Sequence, residues 1–281
     1  MSEAAFWRRA GPLLLAAPLL AYMVVFYAVP VLAMLLRSVS EPAWTLANFA
    51  RLAHDTVFFK TFSNTLYTAV IVTTATLLLG YPVALALVRA KRMTPLILIV
   101  VLLPFWTSIL VRSYAWMVLL GRHGLLNEAL LAADLIDRPL RLLNTSLAVQ
   151  IGMTHILLPY MVLPIANSLR QIDPSLARAA SGLGATPWRA FRQVILPLSM
   201  PGVAAGVLLV FVLSLGFYIT PAMLGGPRDI TLSMLIAQQV DQLNWAYAAC
   251  LSAVLLAAAL VIIAVFQRLP GIGNAFRMSA R

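Results

Sequence analysis

The protein has 281 residues, of which 62% are hydrophobic and only 10% are charged, and its formal net charge is +11. Soluble globular domains carry about 45–50% apolar and about 25% charged residues, so this chain has too few charges to cover an aqueous surface. The composition excludes an ordinary cytosolic protein and predicts a membrane protein, in which excess Lys and Arg reports orientation rather than nucleic-acid binding. The single cysteine, Cys250, excludes an internal disulfide and a metal site built from several cysteines.

Six long stretches contain no Asp, Glu, Lys or Arg. Each can supply one membrane-spanning helix, which needs about 20 mainly apolar residues. We therefore expect a single all-α transmembrane domain over residues 1–281. Its six helices are expected at about 12–36, 62–88, 95–120, 145–169, 199–223 and 244–267.

The first apolar stretch follows Arg8 and Arg9, as it would in a secretory signal peptide. Its 27 uncharged residues exceed the about 7–15 residues of a signal-peptide core. We therefore interpret it as the first membrane-spanning helix.

Two of the later spans carry irregular features. Arg112 interrupts the third apolar stretch, and we expect the helix to continue past it to about Leu120. The fifth stretch is 35 residues long, too long for one straight span. Gly216, Pro221 and Gly225-Gly226 near its end predict irregular backbone beyond the helix.

The basic residues predict the orientation in the membrane. With six spans, both termini lie on one side, and the positive-inside rule places the side richer in Lys and Arg in the cytoplasm. Twelve basic residues share the side of the termini, against seven on the other side, so we expect a multi-pass protein of the bacterial inner membrane with cytoplasmic termini. The twelve are Arg8, Arg9, Arg89, Lys91, Arg92, Arg170, Arg178, Arg189, Arg192, Arg268, Arg277 and Arg281.

The cytoplasmic loop 170–197 predicts two short helices separated by a glycine turn. Asp173-Pro174 and Thr186-Pro187 are typical helix starts, because the polar side chain caps free N–H groups while proline needs no donor there. Gly184 predicts the turn. Pro197 is expected to end the second helix, since its ring cannot continue an α-helix.

Two functions fit this loop. It can be a connector that lies on the membrane surface, or it can bind a soluble partner. Ala179 and Ala180 favour a partner, because small side chains let another surface approach the backbone. Leu176 and Leu183 lie at helical spacing and offer apolar contacts.

The loop also resembles a known motif. The order Arg178-Ala179-Ala180, Gly184, Phe191 and Leu196-Pro197 is similar to the EAA loop of inner-membrane permease subunits of ATP-binding-cassette importers. The resemblance implies a type I importer permease whose loop forms a coupling helix that docks into a groove on the ATPase. The leading Glu of the family is Arg178 here, so an ion pair made by that Glu is absent or reversed in sign.

Four further segments resemble the spermidine/putrescine type of permease. They are Leu103–Ser108, Arg112–Trp116, Leu158–Pro164 and Phe217–Gly226. The resemblance implies a pathway for a small polar solute, with a polyamine such as spermidine or putrescine expected. The alternatives are an importer permease for another small solute and an ion-coupled secondary transporter.

An importer of this kind implies several partners. These are a second homologous permease, two ATPase subunits that bind ATP and Mg, and an extracytoplasmic solute-binding protein. The chain itself has no glycine-rich phosphate loop and no catalytic constellation, so we expect it to be no enzyme and to bind no cofactor. His54, His123 and His155 are isolated, so no metal site is expected either.

Two other classes of membrane protein are disfavoured. A secondary transporter is expected to carry paired acids or histidines near the membrane midplane. A membrane-embedded enzyme needs a nucleophile, a base or metal ligands at one depth. The sequence contains neither pattern.

Arg112 is the basic residue that we place within a span, and such residues are functional candidates by default. It can gate or anchor the pathway, or it can extend its charged end to the outer membrane surface. As a gate or anchor, it could pair with Asp229 or Asp241.

Aromatic residues suit the passage of a polyamine, because ring faces attract ammonium groups without trapping them. Trp106, Phe217 and Tyr218 are therefore candidate pathway residues, with Pro221 in the irregular stretch that follows. The alternative role for these aromatic rings is helix packing.

Overall fold

The structure is a computed structural model that describes residues 16–41, 44–90 and 92–268. Within these ranges the chain forms helices and no strand. The helices are α1 (Ala16–Ser40), α2 (Ala47–His54), α3 (Thr56–Arg89), α4 (Thr94–Trp106), α5 (Ile109–Leu120), α6 (Leu125–Ala132), α7 (Ser146–Arg170), α8 (Pro174–Gly182), α9 (Pro187–Leu215), α10 (Ile219–Leu224), α11 (Leu232–Asp241) and α12 (Trp245–Arg268).

Five helices are long and apolar enough to cross a membrane, namely α1, α3, α7, α9 and α12. The sixth candidate is α4 together with the helical stretch from Ile109 onward, and the two parts are bent by 105°. The prediction of an all-α protein with six apolar segments is confirmed. Positions 12–15 of the expected first span lie outside the described residues, as do the terminal arginines and Lys91.

The prediction of one continuous helix over 95–120 is wrong. Helix α4 ends at Trp106, Thr107 is extended, and α5 starts at Ile109. Pro104 weakens the last turn of α4, and the Thr107 hydroxyl donates to its carbonyl oxygen (3.3 Å). Ser108 caps the new helix, because its Oγ accepts from Leu110 N (3.3 Å).

The fifth apolar helix also differs from the prediction, because Pro197 does not end it. Helix α9 runs from Pro187 to Leu215 and contains a π-helical turn at Phe191–Ile195. In this turn Leu196 N donates to Phe191 O, five residues back. The wider turn accommodates the proline ring, which in a regular α-helix would clash with the carbonyl four residues earlier.

The far end of α9 lies earlier than the expected residue 223. The helix stops at Leu215, Gly216 follows as its C-cap, and a separate short helix, α10, begins at Ile219. The irregular backbone predicted from the Gly and Pro residues of this stretch is confirmed, but the helix before it ends eight residues before the end of the predicted span.

The described chain divides into two compact units. The first comprises the described residues up to Asp55 together with Ile236–Val254. In this unit Tyr247 is buried, its hydroxyl donates to Asp55 Oδ2 (2.5 Å), and the Arg51 guanidinium lies 4.5 Å from the centre of its ring. These contacts attach α2 to the first turn of α12.

The second unit comprises Thr56–Leu235 and the described residues from Leu255 onward. Helix α7 is its centre and packs against α3 and α9. Met161 of α7 is fully buried, and Gly80 of α3 and Gly206 of α9 both lie against it. Small residues at these positions let the helices approach closely, which is a common basis of helix packing in membranes.

The closest of these approaches predicts a loss of stability. A Cβ atom added to Gly202 of α9 would lie 2.6 Å from the carbonyl oxygen of Pro164 and 3.1 Å from the Cα of Ile165. Because backbone atoms cannot rotate away, we expect Gly202→Ala to cost about 1–3 kcal/mol. The measurement is the apparent melting temperature in detergent. Gly182→Ala is the control, since nothing lies within 4 Å of that position, and equal melting temperatures of the two variants would contradict the packing described.

Candidate functional site

The loop after α7 begins with a capped helix. Asp173 precedes α8, and its Oδ1 accepts a hydrogen bond from Ser175 N (2.8 Å). Hydrogen bonds from the backbone and hydroxyl of Ser175 lower the pKa of Asp173 below its ordinary value, and the charge of Arg178 adds to this shift. The cap is therefore ionised at neutral pH, as a helix N-terminus favours.

A tight turn separates α8 from α9. Gly184 has a φ of +85°, in the left-handed region that favours glycine, and its N–H donates to Ser181 O (3.0 Å). Thr186 then caps α9 by accepting from Arg189 N (3.3 Å). The predicted order of helix, glycine turn and second helix start is confirmed as local structure.

Most residues of this loop are exposed. Helix α8 buries none of its residues. Leu183 is 89% exposed and Trp188 is 69% exposed, and Leu176 is also exposed. Together with Arg178, Ala179 and Gly184, which are exposed too, these residues form a surface that we call the α8 surface.

The remaining residues of the EAA-like motif attach the loop to the helices below it. Ala180, Phe191 and Leu196 are half-buried, whereas Pro197 is exposed. The Phe191 ring stacks on Trp188 with 5.5 Å between centroids, and it meets Tyr81 of α3 edge-on at 5.9 Å. The motif therefore combines an exposed face with a packed base.

A second candidate region is Phe217–Gly226, which we call the gate segment. The backbone is not helical between the end of α9 and the start of α10. Its groups therefore bond to side chains and to backbone groups of neighbouring segments. Ser233 Oγ donates to Phe217 O (2.7 Å), and Asn144 N donates to Leu224 O (3.1 Å). Pro221, which cannot donate, is buried in α10.

Helix α10 of the gate segment packs on α5 and α7. Ser113 Oγ and Thr220 Oγ1 are both buried and lie 2.9 Å apart in a hydrogen bond that joins α5 to α10. On the α7 side, a Cβ atom added to Gly152 would lie 2.5 Å from Leu224 Cδ1. The gate segment is therefore fixed by polar contact on one side and by close packing on the other.

The predicted pathway aromatics are only partly brought together. Phe217 and Tyr218 are consecutive residues in the break before α10, where Phe217 is half-buried and Tyr218 is 45% exposed. Trp106 ends α4 with 81% of its surface exposed. Among the described residues, no ring contact joins Trp106 to either of them.

Arg112 lies on α5, one helical turn before Trp116. Its side chain is half-buried, and its Nε is buried without a hydrogen-bond partner among the described residues. Trp116 Nε1 donates to His155 Nδ1 (3.2 Å), so this face of α5 is attached to α7 through aromatic groups.

Two mainly apolar cavities meet at His155. One of about 410 Å³ is lined by Trp116, Gln150 and Thr154, and the other of about 340 Å³ is lined by Pro104 and neighbouring apolar residues. The Trp116–His155 hydrogen bond lies beside these cavities and is a specific contact between α5 and α7.

Asp229 does not pair with Arg112, so that predicted ion pair is wrong. Asp229 is 7% exposed, and its carboxylate accepts from the hydroxyl of Ser146 and from Gly226 N (2.9 Å). Sequence reasoning counted it as an ordinary outer charge. The signal available in the sequence was the glycine pair just before it, which allows the backbone to turn back onto a side chain.

The described residues contain no group of three His, Cys, Asp or Glu side chains that could hold a metal ion. They present instead an exposed loop surface and a packed, irregular segment beside apolar helices. Such an arrangement can bind another protein and can line a passage.

Comparison with known proteins gives a consistent result. A family model described as the inner membrane component of binding-protein-dependent transport systems matches residues 12–269. The spermidine/putrescine transport system permease protein PotB of Escherichia coli K12 is 38% identical over 211 residues, which cover 74% of this chain and 76% of that protein. PotB of Haemophilus influenzae is 35% identical over 226 residues, covering 80% and 79%.

One solved structure has a closely similar fold. It is a chain of a bacterial alginate ABC transporter in complex with an alginate pentasaccharide-bound periplasmic protein. The TM-score is 0.76, the match covers 94% of this chain and 96% of that one, and 18% of the residues are identical. At this identity the likeness concerns the fold.

Proposed function

The chain belongs to the family of inner membrane components of binding-protein-dependent transport systems, and from this premise we propose that it forms half of the membrane pathway of a polyamine importer. The observation that carries the solute class is the similarity to PotB, at 38% identity over about three quarters of both chains. Spermidine and putrescine are the expected solutes. Family membership does not favour an ion-coupled secondary transporter.

The gate segment supports a cationic solute on chemical grounds. Phe217 and Tyr218 lie where the backbone leaves α9, and Tyr218 is largely exposed there. Irregular backbone at membrane depth is tolerated where protein covers it or where it lines a water-filled cavity. Aromatic ring faces at such a cavity attract ammonium groups weakly enough to release them.

Arg112 has a different role in this proposal. A guanidinium repels a polyamine, so it acts as a barrier or as an anchor of α5 rather than as a solute ligand. Its place on α5, one helical turn before Trp116, supports an anchor, because Trp116 donates a hydrogen bond to His155 of α7, the central helix of the unit.

The proposed assembly contains further subunits. A second homologous permease completes the pathway, two ATPase subunits bind ATP and Mg on the cytoplasmic side, and an extracytoplasmic binding protein delivers the solute. Two observations support this: the family is defined by its dependence on a binding protein, and the chain has no phosphate loop of its own.

The α8 surface is the proposed docking site for an ATPase subunit. Leu183 and Trp188 expose apolar area that a soluble partner can bury. Arg178, Arg189 and Arg192 are exposed on the same loop, so we expect acidic side chains in the matching groove of the ATPase.

This proposal requires the loop 170–197 and both termini to be cytoplasmic. A cysteine at Ser181 should then resist a membrane-impermeant thiol reagent in intact cells, whereas one at the exposed Asp137 should react. Both are placed in a Cys250→Ala background, since Cys250 is the only native thiol. Labelling at Ser181 and protection at Asp137 would reverse the orientation.

Docking on the α8 surface predicts a loss of ATPase binding. Leu183→Asp and Ala179→Glu place a charge at the proposed interface, and we expect co-purification of the ATPase subunit to fall about tenfold. Leu243→Asp is the matched control, because Leu243 is 74% exposed and lies outside this surface. If the ATPase co-purifies equally with all three variants at normal expression, the loop is only a connector.

A pathway role for the gate aromatics predicts altered transport. Phe217→Ala and Tyr218→Ala should lower uptake of labelled putrescine and spermidine about threefold, in proteoliposomes with the whole assembly, because each removes a ring face for the ammonium group. Arg112→Ala should impair uptake more than Arg112→Lys, which keeps the charge. Trp44→Ala, at a residue 80% exposed, is the control.

The two parts of this proposal can fail separately. If the Phe217 and Tyr218 variants take up polyamine at the wild-type rate, these two rings serve only in helix packing. Absence of polyamine uptake by the wild-type assembly would remove the solute assignment and leave the importer family unchanged.

A further inference from the structure

Asp229 is an unusual acid in this protein. Of the charged side chains that the structure describes, it is the one that is buried, with 7% of its surface exposed. The ion pair found among the described residues joins Arg37 to Glu41, so no cation neutralises Asp229 there. Burying a carboxylate costs free energy unless its oxygens accept hydrogen bonds. We therefore ask which groups donate to Asp229 and what these contacts hold together.

Both oxygens are indeed occupied, and by groups from two different parts of the chain. Oδ1 accepts from the hydroxyl of Ser146, the first residue of α7, and Oδ2 accepts from Gly226 N (2.9 Å) at the end of the gate segment. The N-terminal end of a 25-residue helix adds a favourable dipole. The carboxylate therefore binds the gate segment to the start of the central helix.

The backbone around this contact is closely packed. A Cβ atom added to Gly226 would lie 2.5 Å from Asn144 O, and one added to Gly225 would lie 2.6 Å from Pro221 O. Asp229 N also donates to Gly226 O (2.9 Å), which closes the turn. The end of the gate segment next to Asp229 is thus tightly held.

The opposite end of the gate segment is held only by hydrogen bonds between neutral groups, among them the one from Ser233 Oγ to Phe217 O (2.7 Å). Nothing lies within 4 Å of a Cβ atom added to Gly216, directly before Phe217. Helix α10 is held near this end by a neutral hydrogen bond between hydroxyls, Ser113 to Thr220. Hydrogen bonds to a charged group are roughly twice as strong as neutral ones, so the two ends are held unequally.

We propose that Asp229 is a positioning residue that fixes the hinge end of the gate segment, so that Phe217 and Tyr218 move at the more weakly held end while α10 stays attached to α7. The proposal rests on the pathway role given to Phe217 and Tyr218 in the proposed function, and it takes Phe217–Gly226 to be the gate of that pathway. It adds a residue and a direction of movement to that assignment. Without the two hydrogen bonds to Asp229, α10 leaves α5 and the closed pathway opens to the outside.

Three substitutions at this contact have distinct consequences. Asp229→Ala leaves Gly226 N–H and the Ser146 hydroxyl buried without an acceptor. Asp229→Asn keeps both contacts, because its carbonyl accepts from Gly226 N while its amide donates to the Ser146 oxygen. Ser146→Ala removes only one of the two donors. Opening should therefore be greatest for Asp229→Ala, smaller for Ser146→Ala and smallest for Asp229→Asn.

The test measures whether α10 stays on α5. Ser113, which is fully buried against Thr220, is replaced by cysteine in a Cys250→Ala background. Labelling by a membrane-impermeant maleimide is followed in intact cells that express the whole assembly. Asp229→Ala should raise the labelling rate about tenfold, the usual effect on an opening equilibrium of removing a buried hydrogen-bond acceptor. Asp229→Asn should restore most of the protection.

Two controls separate positioning from general destabilisation. Asp137→Ala removes an exposed acid of an outer loop and should leave labelling unchanged. Leu157→Ala creates a cavity in the core of α7, where Leu157 is 1% exposed, so it should lower the melting temperature without raising the labelling rate.

Labelling of Asp229→Ala within twofold of the parent, or equal increases in Asp229→Ala and Leu157→Ala, would overturn the proposal. If Asp229→Ala does not reach the membrane, the labelling rate of Ser146→Ala is compared with the parent and with Leu157→Ala by the same criteria. The labelling needs no solute, so an assembly that fails to import polyamines but shows the predicted order of labelling refutes the solute and supports the hinge. Polyamine import with unchanged labelling does the opposite.

Discussion

The pairing of every backbone N–H and C=O group is the constraint on which this membrane protein depends, because no water is available inside a bilayer. A continuous helix satisfies it alone, but this chain interrupts two of its apolar segments. At each interruption a side chain or a neighbouring loop takes over: Ser108 caps α5, Ser233 binds Phe217 O, and Asn144 binds Leu224 O. The breaks are therefore built structures, and their shape is fixed by these few groups.

The features that could be predicted from the sequence are those whose partners are near in the chain. Asp173 and Thr186 each bond an N–H two or three residues away, so residue type and spacing were enough to locate both helix starts. Ser108 is a cap of the same kind, yet it lies within an apolar run. The summed hydrophobicity of that run predicts one continuous membrane-spanning helix, so the break at Ser108 is not visible in it.

Other features depend on contacts that no local pattern contains. Asp229 and Ser146 are 83 residues apart, so the sequence shows only an acid and a hydroxyl in distant parts of the chain. The rule that proline ends a helix also failed at Pro197, because the π-helical turn before it provides room for the ring. In both cases the outcome depends on contacts that exist only in the folded protein. The exposure of Leu183 and Trp188 likewise follows from where the loop lies, although the spacing of Leu176 and Leu183 already indicated an apolar surface on the loop.

Helix α9 is long, and its closest contacts with α7 lie near its middle. At about 1.5 Å per residue its 29 residues are about 43 Å long, with Trp188 near one end and the gate segment beyond the other. Its tightest contacts with α7, at Gly202 and Gly206, lie close to the midpoint and act as a fulcrum. The two arms are of similar length, so a rigid tilt that moves Trp188 in one direction moves Leu215 by a comparable distance in the other. The ratio of displacement at the two ends is set by where two glycines occur in the sequence.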